Sequence, residues 1–348
     1  MFELRPGQRI QSRIARALLG LPPALVARLA GRPIERDGNT LDPQVQLMLA
    51  LQRRAGRPPL HRGSPEKARI EMEVSCLLLA PSSRPLAAVR PWSIAGPAGP
   101  IPARIYVPRG ALSPAPALVY YHGGGFCLGS LDSHDPVCRR LADESGVVVA
   151  SIDYRLAPEH PFPAAIDDAL AAYRGVVAAA DELGLDPARI AVGGDSAGGN
   201  LAAGVAIEAR DDPRPPAAQI LIYPGVDMTR SAASMRSVGE GFVLEKASID
   251  WFVAHYLGDH DQRDPRASPR YAEVAGVAPA LVVTAGFDPL RDEGDAYARK
   301  LADAGVAVEH HRHPSLFHGF LNASGGLRAG EAAMSEISAS LRRLLAID

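Results

Sequence analysis

The sequence predicts an α/β fold in which a parallel β-sheet lies between layers of helices. Several apolar runs, such as ALVVTAG at 280–286, show no alternation of polar and apolar residues, which is typical of strands buried on both faces. Helix-like stretches fall between these runs, as in a doubly wound sheet. The chain has 348 residues, 47% hydrophobic and 22% charged, enough for one large domain with an appended cap.

The predicted elements alternate over residues 86–348, which we expect to form the main domain. The strand candidates are 87–94, 101–107, 117–121, 147–152, 189–193, 218–223, 280–286 and 306–311. The helix candidates are 134–145, 163–183, 197–210, 291–304 and 330–346.

Residues 1–85 have no strand candidate and are predicted to form a helical cap segment. DPQVQLMLALQRRAG at 42–56 lacks strand-like regularity, and SPEKARIEMEVSCLLLA at 64–80 begins with a potential N-cap, Ser64, followed by Pro65.

A second cap piece is predicted as an insertion at about 228–270. The strand candidates on either side of it are too far apart in sequence for a simple crossover. Between them, GFVLEKASIDWFVAHYLGD at 241–259 has an aromatic-rich helical pattern.

The N-terminal segment also carries features of a targeting signal. Four arginines precede ALLGLPPALVA at 17–27, an arrangement similar to a signal peptide. However, Glu3 lies among the arginines, Pro22 and Pro23 interrupt the apolar stretch, and Arg28 follows it at once. These features favour a retained amphipathic segment over a cleaved signal.

Charge and cysteine content limit the classes of function. A net charge of −2 without a block of like charges argues against binding to nucleic acid or anionic lipid. No apolar run reaches 18 residues, so we expect no membrane span. The 3 cysteines include no C-x-x-C pair, which suits a reducing compartment, and we expect a cytoplasmic protein.

The segment AVGGDSAGGN contains the pattern G-x-S-x-G, which places a nucleophilic serine on a sharp turn between a strand and a helix. An apolar strand candidate precedes the pattern and an Ala-rich helix candidate follows it. Ser196 is therefore the candidate nucleophile. The pattern consists of Gly194, Asp195, Ser196, Ala197 and Gly198.

A serine that attacks an acyl group also needs N–H donors for the oxyanion. The run His122-Gly123-Gly124-Gly125 follows a strand candidate, and consecutive glycines let backbone N–H groups turn towards a ligand. We predict Gly124 and Gly125 as donors, joined by the amide of Ala197. A plain tight turn is the alternative, and neither glycine cluster matches G-x-G-x-x-G or a phosphate-binding loop.

Candidates for the orienting carboxylate and the general base follow in chain order. Asp288 stands at the carboxyl end of a strand candidate, where ligand sites in open sheets lie. Asp292 is the rival, but its position as a charge at a helix N-terminus explains it adequately. His318, in PSLFHGF after the last strand candidate, completes the order Ser, Asp, His.

His310, His311 and His313 raise the question of a metal site. Alternation along a strand would place His311 and His313 on one face and His310 on the other. We therefore interpret all three as surface histidines of an edge strand, and we expect neither a metal nor a cofactor.

The motifs HGGGF, GDSAGG, DPLRDEG and HGF together resemble those of the hormone-sensitive-lipase-like (family IV) carboxylesterases of the α/β-hydrolase fold. DYRLAPEHPFPAAIDDA at 153–169 is also similar to that family, and the likeness runs from about residue 40 to 322. It implies a mainly parallel eight-stranded sheet flanked by helices, a two-piece helical cap and a metal-free mechanism. By position it implies a Ser196–Asp288–His318 triad and an oxyanion hole formed by Gly124, Gly125 and Ala197.

The resemblance also implies hydrolysis of short- to medium-chain acyl esters through an acyl-enzyme on Ser196. An arylacetamide or formamide is the alternative substrate class for the same triad. A non-catalytic small-molecule receptor is a further alternative, but some relatives became receptors by losing the catalytic histidine, and His318 is present here. The expected partner is a small-molecule ester, and the expected state is a monomer or homodimer.

Five aromatic residues are candidates for an apolar substrate pocket, with core packing as the alternative for each: Phe126, Trp251, Phe252, Phe287 and Phe317. Cys127 is interpreted either as a small buried hydrophobe or as a thiol whose modification would block the glycine loop.

Overall fold

The computed structural model describes residues 2–56, 59–82 and 84–347. Positions 1, 57–58 and 83 of the predicted cap segment, and the last residue, lie outside the described residues. Short 3-10 helices span Leu60–Arg62, Pro269–Tyr271 and Phe320–Ala323. The α-helices are α1 (Pro6–Leu19), α2 (Pro23–Ala30), α3 (Pro43–Arg54), α4 (Pro65–Leu78), α5 (Asp135–Ser145), α6 (Ala164–Ala178), α7 (Ala180–Leu183), α8 (Ala197–Glu208), α9 (Ser234–Ser237), α10 (Lys246–Tyr256), α11 (Arg291–Asp303) and α12 (Arg328–Leu344). The strands are β1 (Glu35–Arg36), β2 (Asn39–Thr40), β3 (Ala88–Gly96), β4 (Gly99–Val107), β5 (Ala115–Tyr121), β6 (Val148–Ile152), β7 (Leu185–Asp195), β8 (Gln219–Ile222), β9 (Ala280–Phe287) and β10 (Val308–Phe317).

Within the described residues, the main sheet has eight strands in the order β10-β9-β8-β7-β5-β6-β4-β3. The six strands from β10 to β6 run parallel, whereas β4 pairs antiparallel with β6, and β3 with β4. Every residue of β5, β6, β8 and β9 is buried, because helices cover both faces of the sheet. The predicted mainly parallel eight-stranded sheet flanked by helices is confirmed.

The N-terminal segment is not wholly helical, which corrects the sequence interpretation. Strands β1 and β2 form a hairpin in which Glu35 pairs with Thr40. Its turn is Asp37-Gly38, with φ angles of 51° and 76°. Two successive positive φ angles are typical of a type I′ turn, for which Asp-Gly is a preferred sequence. The dipeptide was therefore a readable signal that the helical interpretation missed.

Several predicted element bounds also differ from the structure. The single helix predicted over 163–183 is two helices, α6 and α7, with Ala179 between them. Strand β10 continues to Phe317 instead of ending at 311. The histidine-rich second half of β10 shows no apolar pattern in the sequence. It nevertheless pairs with the buried strand β9, as far as Phe317 opposite Phe287. Backbone pairing with a neighbour, which sequence periodicity does not report, decides where this strand ends.

The histidines of β10 lie on an edge strand, as predicted, but they are partly buried and not fully at the surface. His310 lies 3.1 Å from Asp295 of α11, whereas His311 faces Glu336 of α12. The two helices therefore cover opposite faces of this edge strand. The side chains of His310, His311 and His313 are 18%, 21% and 13% exposed.

The N-terminal helices and the insertion between β8 and β9 pack on the main domain and on each other. Arg16 of α1 donates hydrogen bonds to the carbonyl oxygens of Ala80 and Gly325, at 2.7 and 2.9 Å. His61 Nδ1 lies 3.1 Å from the Ser248 hydroxyl of α10, so the two segments are in contact. Among the described residues, each helix is too short or too polar to cross a membrane.

Candidate active site

Ser196 occupies the sharp turn between β7 and α8. Its φ of 56° and ψ of −117° are a strained conformation for a residue with a side chain. The turn presses against the end of β5. A Cβ on Gly198 would lie 1.8 Å from the carbonyl oxygen of Tyr121, and one on Gly194 would lie 2.2 Å from the same oxygen. Close packing therefore requires both glycines of the G-x-S-x-G pattern.

The structure brings Ser196, His318 and Asp288 together, although they come from three separate parts of the chain. His318 follows β10 and Asp288 follows β9. His318 Nε2 lies 2.9 Å from Ser196 Oγ, and His318 Nδ1 lies 2.8 Å from Asp288 Oδ2. Asp288 is buried, and its Oδ1 accepts a hydrogen bond of 2.8 Å from the Leu290 amide. With Nδ1 facing the carboxylate, Nε2 is placed to accept the proton of the serine hydroxyl.

Two neighbours complete this part of the site. The ring of Tyr223 packs on the imidazole of His318, with centroids 4.8 Å apart. The sequence offered no signal for this contact. Asp292, the rival carboxylate, accepts hydrogen bonds from the Ser234 amide and from Arg291, at 2.8 and 2.7 Å. Its carboxylate therefore tethers the insertion rather than orienting His318.

The glycine loop after β5 lies beside Ser196. Gly124 has a φ of 130°, and a Cβ there would lie 2.2 Å from the Leu128 carbonyl oxygen. The amide of Gly123 donates to Asp195 Oδ1 at 2.9 Å. Within the described part of the chain, no hydrogen bond uses the amides of Gly124, Gly125 or Ala197 as donors. These three N–H groups can therefore donate to an oxyanion, and Ala197 adds the positive end of the α8 dipole.

Asp195 connects the serine turn with the glycine loop. Besides the Gly123 amide, its Oδ1 accepts a hydrogen bond of 2.7 Å from the Tyr120 hydroxyl and lies 3.2 Å from His134 Nε2. Burial by itself would raise the pKa of the Asp195 carboxyl, but His134 and these hydrogen bonds hold that pKa below its ordinary value. Sequence reasoning missed Tyr120 and His134, because neither belongs to a motif.

His122 packs beneath the same loop as a neutral side chain. Its Nδ1 lies 2.9 Å from the Gly123 carbonyl oxygen, and its ring stacks on Tyr154 with centroids 4.4 Å apart. Burial and the neighbouring His134 lower the pKa of His122 to about 3. The histidine of the HGGG run therefore supports the loop from below, away from Ser196.

A pocket opens at Ser196, with about 560 Å³ of empty space that includes open solvent at its mouth. Helix α10 supplies one wall, where the ring of Phe126 stacks on Tyr256 with centroids 3.8 Å apart. Mostly apolar side chains surround the space. The lining residues are Gly125, Phe126, Ser196, Ala197, Gly225, Asp227, Met228, Arg230, Leu244, Ile249, Phe252, Val253, Tyr256, Leu290 and Glu293.

The five aromatic candidates divide into two groups. Phe126 and Phe252 line the pocket, as one of the two interpretations expected. Phe287 and Phe317 are buried in the core beneath the sheet, and Trp251 is half-buried and packs against Phe252. Core packing therefore explains the last three.

Charged residues in the pocket lining were also missed by the sequence analysis. Glu293 Oε1 accepts hydrogen bonds from the amides of Val226 and Asp227, at 2.7 and 3.1 Å. Burial raises the pKa of Glu293 well above its ordinary value. Asp227 in turn accepts a hydrogen bond of 3.1 Å from Arg270. This network fixes the loop after β8 that forms the pocket floor.

Cys127 lies behind the glycine loop and not in the pocket. It is fully buried, with its Sγ 3.9 Å from the carbonyl oxygen of Phe252. Burial raises the pKa of this thiol to about 12. Because the thiolate is the reactive form, the geometry favours the interpretation of Cys127 as a small buried hydrophobe.

Comparison with known proteins agrees with this geometry. Residues 118–322 match the model of a family described as having the alpha/beta hydrolase fold. The carboxylic ester hydrolase LipN of Mycobacterium tuberculosis is 49% identical over 329 residues, which cover 90% of this chain and 87% of that protein. The ethyl acetate hydrolase of Pseudomonas putida is 38% identical over 318 residues, 88% of this chain and 100% of that protein.

A solved structure is similar over nearly the same range. The hyperthermophilic esterase from the archaeon Pyrobaculum calidifontis is 43% identical, with a TM-score of 0.83 and coverage of 87% of this chain and 98% of that chain. The fold, the family match and the similar proteins all indicate the same family over most of the sequence. The chain therefore belongs to the α/β hydrolase family.

Proposed function

We propose that Ser196, His318 and Asp288 hydrolyse short- to medium-chain acyl esters, in the manner of the hormone-sensitive-lipase-like (family IV) carboxylesterases. The chain is a serine ester hydrolase by its family and its relatives at 38–49% identity. The proposal adds the residues and the substrate range. The observation that carries it is the continuous hydrogen-bonded series from Asp288 through His318 to Ser196, at 2.8 and 2.9 Å, beside three free amides.

The first half of the reaction acylates the enzyme. Ser196 Oγ attacks the ester carbonyl carbon while His318 Nε2 takes the hydroxyl proton. The carbonyl oxygen becomes an oxyanion, which the amides of Gly124, Gly125 and Ala197 stabilise. The C–O bond to the alcohol then breaks, and His318 returns its proton to the leaving oxygen.

The second half repeats these roles with water. His318 Nε2 takes a proton from a water molecule that attacks the acyl carbon, and the same amides hold the second oxyanion. Collapse of this intermediate breaks the bond to Ser196 Oγ, which recovers its proton from His318. Throughout, Asp288 keeps Nδ1 protonated and stabilises the imidazolium form.

The pocket supports the proposed substrate range. Its walls come mainly from apolar side chains such as Phe252, Val253 and Leu244, which suit the hydrocarbon part of an ester. The name of the Pseudomonas putida relative, ethyl acetate hydrolase, points to a short acyl chain in that protein.

The central test uses Ser196→Ala with a p-nitrophenyl ester series of increasing acyl length. We expect the substitution to lower kcat by roughly 10⁴-fold or more, because a triad loses nearly all its function with its nucleophile. A fluorophosphonate should label the wild-type protein stoichiometrically on Ser196 and leave the variant unlabelled. Wild-type turnover by Ser196→Ala would disprove the assignment, and a maximum at long acyl chains would disprove the substrate range.

Two wider parts of the proposal concern the architecture and the setting of the enzyme. We propose that the N-terminal segment before residue 86 and the insertion at 228–270 form a two-piece cap, because His61 of the first contacts Ser248 of the second and α10 lines the pocket. A cytoplasmic location suits the three unpaired, buried cysteines. Cell fractionation and gel filtration would test the location and the expected monomer or homodimer.

A further inference from the structure

Strand β10 and helix α12 share a group of polar side chains away from the pocket. Glu309, His311 and His313 occupy alternate positions of β10, so their side chains project from the same face of the sheet. That face packs against α12. On α12, Glu336 lies opposite the two histidines.

Three ligand atoms of this group converge. His311 Nδ1 and His313 Nε2 lie 4.0 and 3.9 Å from the same atom, Glu336 Oε2, and all three atoms lie within 4.8 Å of one another. Both ring nitrogens are buried, and neither has a hydrogen-bond partner among the described residues. Burying polar atoms without partners costs free energy, and a group bound between the two nitrogens and the carboxylate would satisfy all three.

The orientation of His311 suits a bridging cation. Its Nε2 lies 2.7 Å from Glu309 Oε1, which also accepts hydrogen bonds from Ser340, at 2.7 Å, and from Arg343. With Nε2 donating to Glu309, Nδ1 carries its lone pair towards Glu336. A carboxylate behind a histidine is the usual device for orienting an imidazole that binds a metal ion. His313 is packed at the edge of the Phe320 ring, with centroids 5.5 Å apart.

We propose that His311, His313 and Glu336 bind one Zn²⁺ ion, which joins β10 to α12. Two imidazoles and one carboxylate form a ligand set that zinc takes in proteins, with a further position for water. Zinc ligands lie about 2.0–2.2 Å from the ion, so two ligands of a tetrahedral zinc are about 3.3–3.6 Å apart. The contacts of 4.0 and 3.9 Å to Glu336 are a few tenths of an ångström longer, so binding requires the side chains to move slightly towards the ion.

The ion has a structural role in this position. Glu336 is 57% exposed, so solvent and the ion can reach the site from the surface of α12. The strand that the ion would hold leads directly to His318, the histidine beside Ser196. Zinc binding would therefore stabilise the edge of the sheet and take no part in the acyl transfer.

The test measures binding of Zn²⁺ alone to the full-length protein, by competition with a chromophoric zinc indicator and by metal content after gel filtration. We expect the wild-type chain to bind one more zinc ion than the variants His313→Gln and Glu336→Gln. We also expect Glu309→Gln to weaken zinc binding about 10- to 100-fold, since it removes the carboxylate behind His311. His310→Gln, on the opposite face of β10, is the matched control and should retain wild-type affinity.

A second readout is thermal unfolding with and without zinc. Because a ligand that binds the folded state stabilises it, the wild-type Tm should rise by a few degrees at saturating Zn²⁺. Glu336→Gln changes an exposed position and should fold normally, but its Tm should not respond to zinc. Equal zinc stoichiometry and affinity in the wild type and Glu336→Gln, or an equal zinc-dependent rise in Tm, would overturn the proposal. Neither measurement depends on ester hydrolysis.

Discussion

Two buried aspartate–histidine pairs lie on either side of Ser196. In one, Asp288 Oδ2 lies 2.8 Å from His318 Nδ1, and the other ring nitrogen faces Ser196 Oγ. In the other, Asp195 Oδ1 lies 3.2 Å from His134 Nε2, and the other ring nitrogen lies 2.9 Å from the Ser133 hydroxyl. His318 is 8% exposed, beside Ser196, whereas His134 is fully buried.

The difference shows that the surroundings of a pair, and not its chemistry, decide what it does. In the Asp288–His318 pair, the histidine contacts Ser196, which lines the pocket and can be reached by a substrate. In the Asp195–His134 pair, the histidine contacts the buried Ser133 hydroxyl, and the carboxylate accepts a hydrogen bond from the Gly123 amide. We therefore expect the first pair to take part in proton transfer and the second to position the glycine loop.

Asp288→Asn should lower kcat by about 10⁴-fold, because an amide in place of the carboxylate favours the wrong tautomer of the histidine. The measurement is steady-state turnover of a p-nitrophenyl ester across pH. A variant with wild-type kcat would show that Asp288 does not orient the catalytic histidine.

Asp195→Asn should lower kcat less, by about 10- to 100-fold, below the loss usually seen when one oxyanion donor is removed. The asparagine keeps an oxygen for the Gly123 amide but loses the charge that binds His134 and Tyr120. Because Asp288 and His318 are untouched, the shape of the pH profile should stay that of the wild type. A changed pH profile would place Asp195 in proton transfer instead of loop positioning.

His122, next to the second pair, should make the fold sensitive to acid. Its pKa is about 3 in the folded protein and about 6.5 when unfolded, so below pH 6.5 the unfolded chain binds a proton that the folded chain does not. The free energy of unfolding should therefore decrease as pH falls from 6.5 towards 3, by up to about 1.4 kcal/mol per pH unit. Urea unfolding at pH 7, 6 and 5 measures this slope.

The matched variants for this slope are His122→Gln and His160→Gln. The first removes the buried imidazole and should make the free energy of unfolding less dependent on pH. The second changes an exposed histidine and should leave the dependence as it is. If both variants keep the wild-type slope, the buried imidazole beneath the glycine loop is not its source.

Tyr120→Phe should have the smallest effect, a loss of about 1–2 kcal/mol in the free energy of unfolding. It removes one hydrogen bond, of 2.7 Å, to the buried Asp195 carboxylate and leaves the ring in place. Esterase activity should change by less than in Asp195→Asn, since the Gly123 amide keeps its acceptor. Denaturant unfolding and kcat on the same samples would separate the two effects.

Much of the candidate site could be read from the sequence because it depends on local geometry. The turn at Ser196 needs glycine on both sides, since any Cβ at Gly194 or Gly198 meets the end of β5. Such requirements leave motifs that can be recognised without a structure. Asp288 and His318 were found from their order and from their places after strands. Asp195 was noted only as a motif position, and its connection to the glycine loop became visible in the fold.

The sequence by itself determined the α/β class, because apolar strands buried on both faces leave continuous runs, and it singled out Ser196, Asp288 and His318. Only the tertiary structure decided which side chains meet: His134 contacts Asp195, Phe252 lines the pocket, and Glu336 lies opposite two histidines of β10. These contacts join residues far apart in the chain, and no local spacing encodes them. A strand pattern shows that His311 and His313 share a face, but only the packing of α12 shows that a carboxylate covers it.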